Sequence, residues 1–454
     1  MRRFLIGLIL CLWPVLATAQ SVELTLDQAR SLARRAFLAG DTVFANELAH
    51  GLITANPDDV GALLLLAATE PLMGRAKEGR EAGAKAWKLA QTDTLRHEAA
   101  FYTARAAVFD RSFANAQFWL RRAYDTAQTE AQERRVAVDF QRVRAVSPWV
   151  STLNFSVSPS SNLNGGASSP FLLIDDFAGI GVLSGTAQAL SGVRADVQIG
   201  LGYRFGRSET SQTTLKFDGY HNFNTLSSEA RALAPGVPGS AFNQAVAEIS
   251  VVHDRFAPVG PLPSQYSLAF GRSWFGGQPL DEYARLGLAR QVRLGQRSSL
   301  TLSVQAEEHW SLTTVPDSRG FEGEIALRHR LQSGATMGLS VGGVEVTSPS
   351  VNQTYTGWSL SAEYAPAKSL GPVDLAFGIG VSTKDFPTYF VGTFEAPGGR
   401  QETTVSATIE AQFTNAEVLG FHPVLTLNAS QSTSNISRFT GETIGLSFGI
   451  KSAF

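Results

Sequence analysis

Gly192-Val193-Arg194-Ala195-Asp196-Val197-Gln198-Ile199-Gly200-Leu201-Gly202-Tyr203-Arg204-Phe205 decides the fold of this chain. Its odd positions are wholly apolar and end in aromatics, while its even positions are charged, polar or glycine. Side chains of a strand alternate between two faces, so this stretch presents one apolar and one polar face. Soluble strands average ~5–6 residues. Strict alternation of this length fits a tilted strand that crosses a membrane with one face to lipid and the other to a polar interior.

The same period runs outward in both directions. It begins after Pro148, where Trp149, Leu153, Phe155 and Val157 alternate with Val150, Thr152, Asn154 and Ser156. About 14 such segments are centred near residues 153, 199, 217, 248, 270, 287, 304, 327, 340, 359, 377, 408, 426 and 448. Long links are expected near 158–191, 224–241, 383–400 and 431–440, and short ones near 206–212, 293–297, 332–334 and 366–371; the links near 254–264 and 276–281 depart mildly from the trend. Long loops at one end and short turns at the other are the habit of outer-membrane barrels. In lipid every backbone polar group needs a partner, and closing the sheet removes its edges. An even strand number returns both barrel ends to one side, the periplasm. Leu446, Phe448, Ile450 and Phe454 lie in phase on the last strand, which reads as a barrel-insertion signal.

Upstream the period is helical. Leu26, Ala29, Leu32, Ala33, Ala36 and Phe37 recur at three- and four-residue spacing, and Gly40-Asp41 breaks the helix. Ala45, Leu48, Ala49, Leu52 and Ile53 form a second, ending at Asn56-Pro57. These hairpins resemble tetratricopeptide units, with Ala45, Ala49 and Pro57 at the small and proline positions. A second unit runs from about Val60 to Ala86. A looser third carries Phe101, Ala104, Ala116, Trp119, Leu120 and Ala123, and a helix from about Glu130 to Val146 caps the stack. Stacked pairs leave a concave groove suited to a peptide or protein; a spacer or dimerisation bundle is the plainer reading.

The first residues read as an export signal. Arg2 and Arg3 precede the apolar run Phe4 to Leu16, and Ala17-Thr18-Ala19 forms a cleavage site. The expected organisation is a signal peptide at 1–19, a periplasmic tetratricopeptide-like helical domain at 20–147 and an outer-membrane barrel at 148–454. Cys11 is the only cysteine, so the mature chain would carry no thiol for disulfides, metal sites or catalysis. The composition agrees: 454 residues, 42 Gly, 10% aromatic, 17% charged and a net charge of −2. That balance excludes disorder and gives no reason to expect nucleic acid as a partner. No later run reaches the ~18 apolar residues of a membrane helix.

Catalytic and metal signals are weak. Gly338-Leu339-Ser340-Val341-Gly342 matches a nucleophile elbow, but it sits inside an alternating strand rather than a strand-to-helix turn. His50, His97, His221, His253, His309, His329 and His422 show no i, i+4 pairing. Glu307-Glu308-His309 at a strand end could bind a cation, with a solvated rim as the plainer reading, and the two carboxylates of Asp175-Asp176 fall short of the six to eight oxygens calcium takes. The expectation is no enzyme, no metal and no cofactor.

Helical hairpins followed by a barrel of about 14 strands resemble the surface lipoprotein assembly modifier (Slam) family. Ser158-Pro159-Ser160-Ser161-Asn162-Leu163-Asn164-Gly165-Gly166-Ala167 is similar to the P-x-S-N-I-N segment of that family, with Leu163 for the usual Ile. Leu190-Ser191-Gly192 resembles its S-G segment before the second strand. The resemblance implies an outer-membrane translocon that delivers particular lipoproteins or related secreted proteins to the cell surface, without enzymatic activity. Implied partners are the client, outer-membrane lipid, the barrel insertion machinery and a periplasmic chaperone. Asn162, Asn164 and Gly166 are candidate client or loop contacts, the asparagines through Asx turns. Arg194, Asp196, Arg204, Lys216, Asp218, Glu248 and Arg272 are expected to face the lumen, either as a client-contacting wall or as ordinary lumen polarity. The alternatives are a polysaccharide exporter, or a porin with a periplasmic helical scaffold.

Overall fold

The computed structural model describes residues 24–175, 177–256, 260, 262–416 and 421–452. The expected signal peptide and Phe454 lie outside the described residues. The chain divides into two compact units, the first ending at Ser112 and the second starting at Phe113.

The first unit is a stack of helices: α1 (Leu26–Leu38), α2 (Thr42–Ala55), α3 (Val60–Thr69), α4 (Ala76–Leu89) and α5 (Asp93–Phe109). Local chemistry sets their ends. Thr25 and Gln28 form a capping box at α1, and Asp41, Asp59 and Thr92 accept from the first-turn amides of α2, α3 and α5. Gly40, at φ 87°, takes the left-handed turn after α1 that a side chain would resist. Ala33, Ala45, Ala49, Ala62, Ala67, Ala86 and Ala99 are fully buried, so the helices approach closely. Gly83 continues this: a Cβ there would stand 2.1 Å from Thr103 Oγ1.

One buried carboxylate sits in this stack. Glu70 follows α3 and is 2% exposed. Asn46 Nδ2 donates to its Oε1 at 3.0 Å, His50 Nε2 lies 2.6 Å from the same oxygen, and Arg75 pairs with its Oε2. Arg75 also donates to Asn46 Oδ1 at 3.0 Å. Burial pushes the Glu70 carboxyl up, but the bonds from Arg75, Asn46 and His50 outweigh it and hold the group below the usual carboxylate range.

The second unit holds α6 (Phe113–Asp125), α7 (Glu130–Val146) and the sheet. In chain order its strands are β1 (Trp149–Ser160), β2 (Phe171–Ile174), β3 (Phe177–Val182), β4 (Gly192–Phe205), β5 (Ser211–Leu226), β6 (Gln244–Arg255), β7 (Gln265–Phe275), β8 (Gln278–Arg293), β9 (Ser298–Ser311), β10 (Ser318–Arg330), β11 (Thr336–Thr347), β12 (Tyr355–Ala365), β13 (Val373–Phe386), β14 (Phe390–Val391), β15 (Phe394–Glu395), β16 (Arg400–Phe413), β17 (Phe421–Ser434) and β18 (Gly441–Ser452). β2–β3 and β14–β15 are small hairpins within loops. The remaining fourteen close into an up-and-down antiparallel barrel in which β1 meets both β4 and β18. Each expected strand centre falls inside one of them.

Two link expectations need correction. The link near 276–281 is a two-residue turn: Gly276 and Gly277 have φ of 58° and 80°, the mirror-image turn that matches strand twist and favours glycine, so β8 begins at Gln278. The link near 431–440 is short, because β17 continues to Ser434. The long loops are 161–191, 227–243 and 387–399, all close to the β1–β18 junction.

Candidate functional site

The barrel has two faces. Ile199, Leu201, Leu339, Val341, Ile379, Val405, Leu446 and Phe448 are exposed large apolar side chains on the outward face. A closed sheet with this exterior is the architecture of an outer-membrane barrel. Leu446, Phe448 and Ile450 share that face, since Phe448 stands opposite Val157 and Ile450 opposite Pro423.

The inward face is chemically divided. From β4 to β10 it carries charge: Arg194, Asp196, Lys216, Asp218, Glu248, Arg285, Glu307, Glu322 and Glu324 fall in register across neighbouring strands. From β11 through β18 its middle is hydroxyl and glycine. Ser340 and Ser361, Gly380 and Ser406, Thr404 and Ser432, and Thr426 and Ser447 are register partners. Ser340 Oγ lies 2.8 Å from Ser361 Oγ in mid-strand, so the nucleophile-elbow match is part of this wall.

The charged wall is internally paired. Arg285 donates to Glu307 at 2.8 Å and to Glu248 at 3.1 Å. The Tyr283 hydroxyl donates to Glu248 at 2.8 Å, and its ring lies over Gly271, where a Cβ would stand 2.3 Å from it. His309 sits between Glu307 and Asp281. Glu308 is on the opposite face with Arg319. Glu307-Glu308-His309 is therefore ion-paired rather than open to a cation, and among the described residues no cluster of His, Cys, Asp or Glu could hold a metal. Sequence reading missed Tyr283 and Arg285, whose only signal was an inward phase on adjacent strands, and considered Glu307 only as part of a cation site.

Arg272 corrects an expectation. It pairs across β6 with Ala247 and across β8 with Glu282, to which its Nε donates at 3.0 Å. Its phase is that of the exposed Leu268 and Phe270, so it stands on the outward face, near the rim. The alternation of β7 decides this, not the polarity of the residue.

The end of the barrel away from the chain termini is built on amides. Asn162 is buried; its Nδ2 donates to Gly166 O at 2.9 Å and its Oδ1 accepts from Gly166 N at 2.8 Å. A Cβ at Gly166 would meet Gln188 O at 2.1 Å. Asn164 Nδ2 donates to Thr186 O and Gln188 O, and its Oδ1 accepts from Leu190 N, which joins the two arms of loop 161–191. Arg194 Nη2 donates to Leu163 O at 2.8 Å and its Nε to Asn224 Oδ1. Asp196 accepts from the Tyr220 hydroxyl, which accepts in turn from the buried Asn222. Leu163 and Leu190 pack with Leu226 at the end of β5 and with Ala230 and Ala234 of the loop that follows it. Ile174 packs with Ala396 and Ile436 on the other side. Beneath them Arg400 lies between the rings of Phe386, Phe439 and Tyr389, at 3.6, 4.0 and 4.6 Å from their centroids.

At the opposite end Arg204 reaches the last turn of α7. Its Nη1 donates to Arg144 O at 2.9 Å and to Ser147 O at 3.2 Å, while Arg207 donates to Ala145 O. A cation on terminal helix carbonyls satisfies groups the helix leaves open and complements its dipole. Lys216 and Asp218 line a nearby cavity of about 260 Å³ with Thr152 and Thr214.

No family model matches this chain, and no curated protein matches it. Among solved structures, the type III secretion translocator chaperone SycD of Yersinia enterocolitica is 19% identical over 27% of this chain and 88% of its own, with a TM-score of 0.24. OccAB3 of Acinetobacter baumannii is 9% identical over 66% of this chain and 98% of its own, at 0.36. The outer membrane protein opdK of Pseudomonas aeruginosa is 9% identical over the same shares, at 0.33. Likenesses this distant carry no argument about function.

Proposed function

We propose that this protein is an outer-membrane translocon that delivers specific lipoproteins or related secreted proteins to the cell surface. One observation carries the reading: Arg204 ties the last turn of α7, which follows the alanine-rich helical hairpins in the chain, directly to a strand of a barrel with a polar lumen. Helical stacks of this kind hold peptides in their groove, so one chain joins a protein-binding scaffold to a membrane passage. The Asn162 segment, similar to that of the Slam family, points the same way.

In this reading residues 1–19 are removed and the helices lie in the periplasm. The loop end faces outward, and Leu446, Phe448, Ile450 and Phe454 are read by the insertion machinery. A periplasmic chaperone hands over the client, and outer-membrane lipid surrounds the barrel. Asn162, Asn164 and Gly166 act by shaping the loop the client passes, and the inward charges Arg194, Asp196, Lys216, Asp218 and Glu248 form a wall it contacts. No cofactor takes part.

The test is protease shaving of intact cells with and without the protein, followed by mass spectrometry of the released peptides. The expected result is selective loss of one or two lipoproteins from the surface while they remain inside the cell. An unchanged surface profile would overturn the reading. A second reading, polysaccharide export, is favoured by the hydroxyl- and glycine-rich middle of the wall from β11 to β18, which offers hydrogen bonds to a sugar polymer. Loss of secreted polymer on deletion, with surface proteins unchanged, would select it.

A further inference from the structure

β1 is bonded unequally on its two edges. It pairs with β4 at every residue from Trp149 to Ser160, but with β18 only at Ser156, Val157 and Ser160 among the described residues. The sequence supplies the cause. Pro159 lies between the paired Val157 and Ser160 and has no N–H to donate, and two of the three pairs that form, Ser156 with Gly449 and Ser160 with Gly445, have no side chain on the β18 side. The inward residues of β1 here are the small Ser156, Ser158 and Ser160, so cross-strand packing adds little. The loop end of the junction is held by loop atoms: Ser161 N donates to Ile444 O, Ile444 N to Ser161 Oγ, and Glu442 N to Ser168 Oγ.

Cavities lie on both sides of this junction. On the inside, one of about 430 Å³ is lined by the inward Asn154, Asp196 and Asn428, and also by Phe155 and Ile450 of the outward face, so it reaches into the junction. On the outside, one of about 490 Å³ is lined by Pro159, Val193, Leu226, Ile444 and Leu446.

We infer that the β1–β18 junction is the lateral exit through which the acyl chains of a lipid-anchored cargo pass from the lumen into the bilayer; this rests on the translocon reading. An acylated polypeptide sets two conflicting demands. Its chain suits a polar lumen, whereas its methylenes favour an apolar phase in proportion to their number. A barrel closed all round meets only the first demand. A junction with few ladder bonds, a lumen cavity of mixed polarity inside and an apolar one outside meets both. The outer cavity takes the acyl chains of the cargo as they leave.

The test locks the junction. The chain after residue 19 has no cysteine, so an introduced pair stands alone. Val157→Cys with Phe448→Cys joins the two strands at a register pair. Ser340→Cys with Ser361→Cys makes the same link between β11 and β12 and serves as control. Cells making each full-length variant are fed an alkynyl fatty acid, and labelled lipoproteins are scored for protease access from outside. Heat-dependent gel mobility checks that each barrel has folded, and Ser160→Cys with Gly445→Cys replaces the first pair if that variant does not assemble. The expected result is at least a tenfold fall in surface-accessible labelled lipoprotein when the seam pair is oxidised, reversed by reductant, with no change for the control. Loss on deletion of the protein but not on locking overturns this inference alone. Full surface display in the deletion strain overturns the translocon reading and this inference with it.

Discussion

In the helical stack a Cβ added to Gly83 would stand 2.1 Å from Thr103 Oγ1, and in the barrel one added to Gly271 would stand 2.3 Å from the Tyr283 ring. Both glycines let another group come close, but their surroundings differ. Gly83 lies in an ordinary core, where buried alanines and leucines hold water out. Gly271 lies on a wall whose inner side is polar and whose outer side meets lipid, so no apolar core stands behind it. The stack gains its stability from burial, and the barrel from ladder bonds that lipid makes costly to break. Substitution of like residues in the two regions should therefore have unlike effects.

The largest contrast is expected from leucine. Leu52 is 2% exposed in α2, and Leu52→Ala should destabilise the helical unit by about 3 kcal/mol, measured by chemical denaturation of the whole chain followed through its helical circular dichroism. Leu339 is 48% exposed on the outward face of β11. Lipid tails are as apolar as leucine, so Leu339→Ala should cost the folded barrel less than about 1 kcal/mol, with little change in the temperature at which its gel mobility shifts. Equal losses would show that the barrel also depends on an apolar core.

Next come the glycines. Gly83→Ala should cost about 1–3 kcal/mol by overpacking, and Thr103→Ala in the same chain should recover most of it. Gly271→Ala must move the Tyr283 ring and weaken its bond to Glu248, lowering the temperature of the barrel mobility shift while the helical transition stays put. Movement of both transitions by either change would join what the comparison separates.

A smaller effect concerns pH. The folded-state pKa of Glu70 lies below its unfolded value, so the group adds stability above the unfolded pKa of about 4.5, and this is lost as pH falls through the lower folded value. Glu70→Gln should flatten the acid dependence of the helical transition below that pH. It should leave the barrel mobility shift unaltered across the same range. The smallest expected effect is that of Arg204→Ala, which should raise protease cleavage after Arg144 without unfolding either region.

The barrel was largely legible in the sequence because period-two alternation is imposed residue by residue by the lipid on one side and the lumen on the other. The start of β8 was not, since Gln278-Pro279-Leu280 does not alternate cleanly and the tight turn needs only Gly276-Gly277. Arg272 was misassigned because its charge was weighed above its phase with Leu268 and Phe270. The cluster of Glu248, Tyr283, Arg285 and Glu307 depends on register between strands, which no single strand records. The helical period likewise foretold α6 and α7, but not that they would group with the barrel rather than with α1 to α5. Asn162 and Asn164 were legible as loop-forming residues, whereas their bonding to Gly166, Gln188 and Leu190 follows from loop geometry.

The clasp at the foot of the barrel also has a mechanical meaning. Arg204 of β4 holds the carbonyls at the end of α7, and Ser147 passes directly into β1 through Pro148 and Trp149. Tension on α7 is thus not shared around fourteen strands but reaches two neighbours most directly, β1 through the covalent chain and β4 through the guanidinium, while Arg121 of α6 lies over the Phe421 ring of β17. One of those two strands borders the junction with the fewest bonds, so a pull on α7 is delivered to the place in the wall with the lowest shear strength.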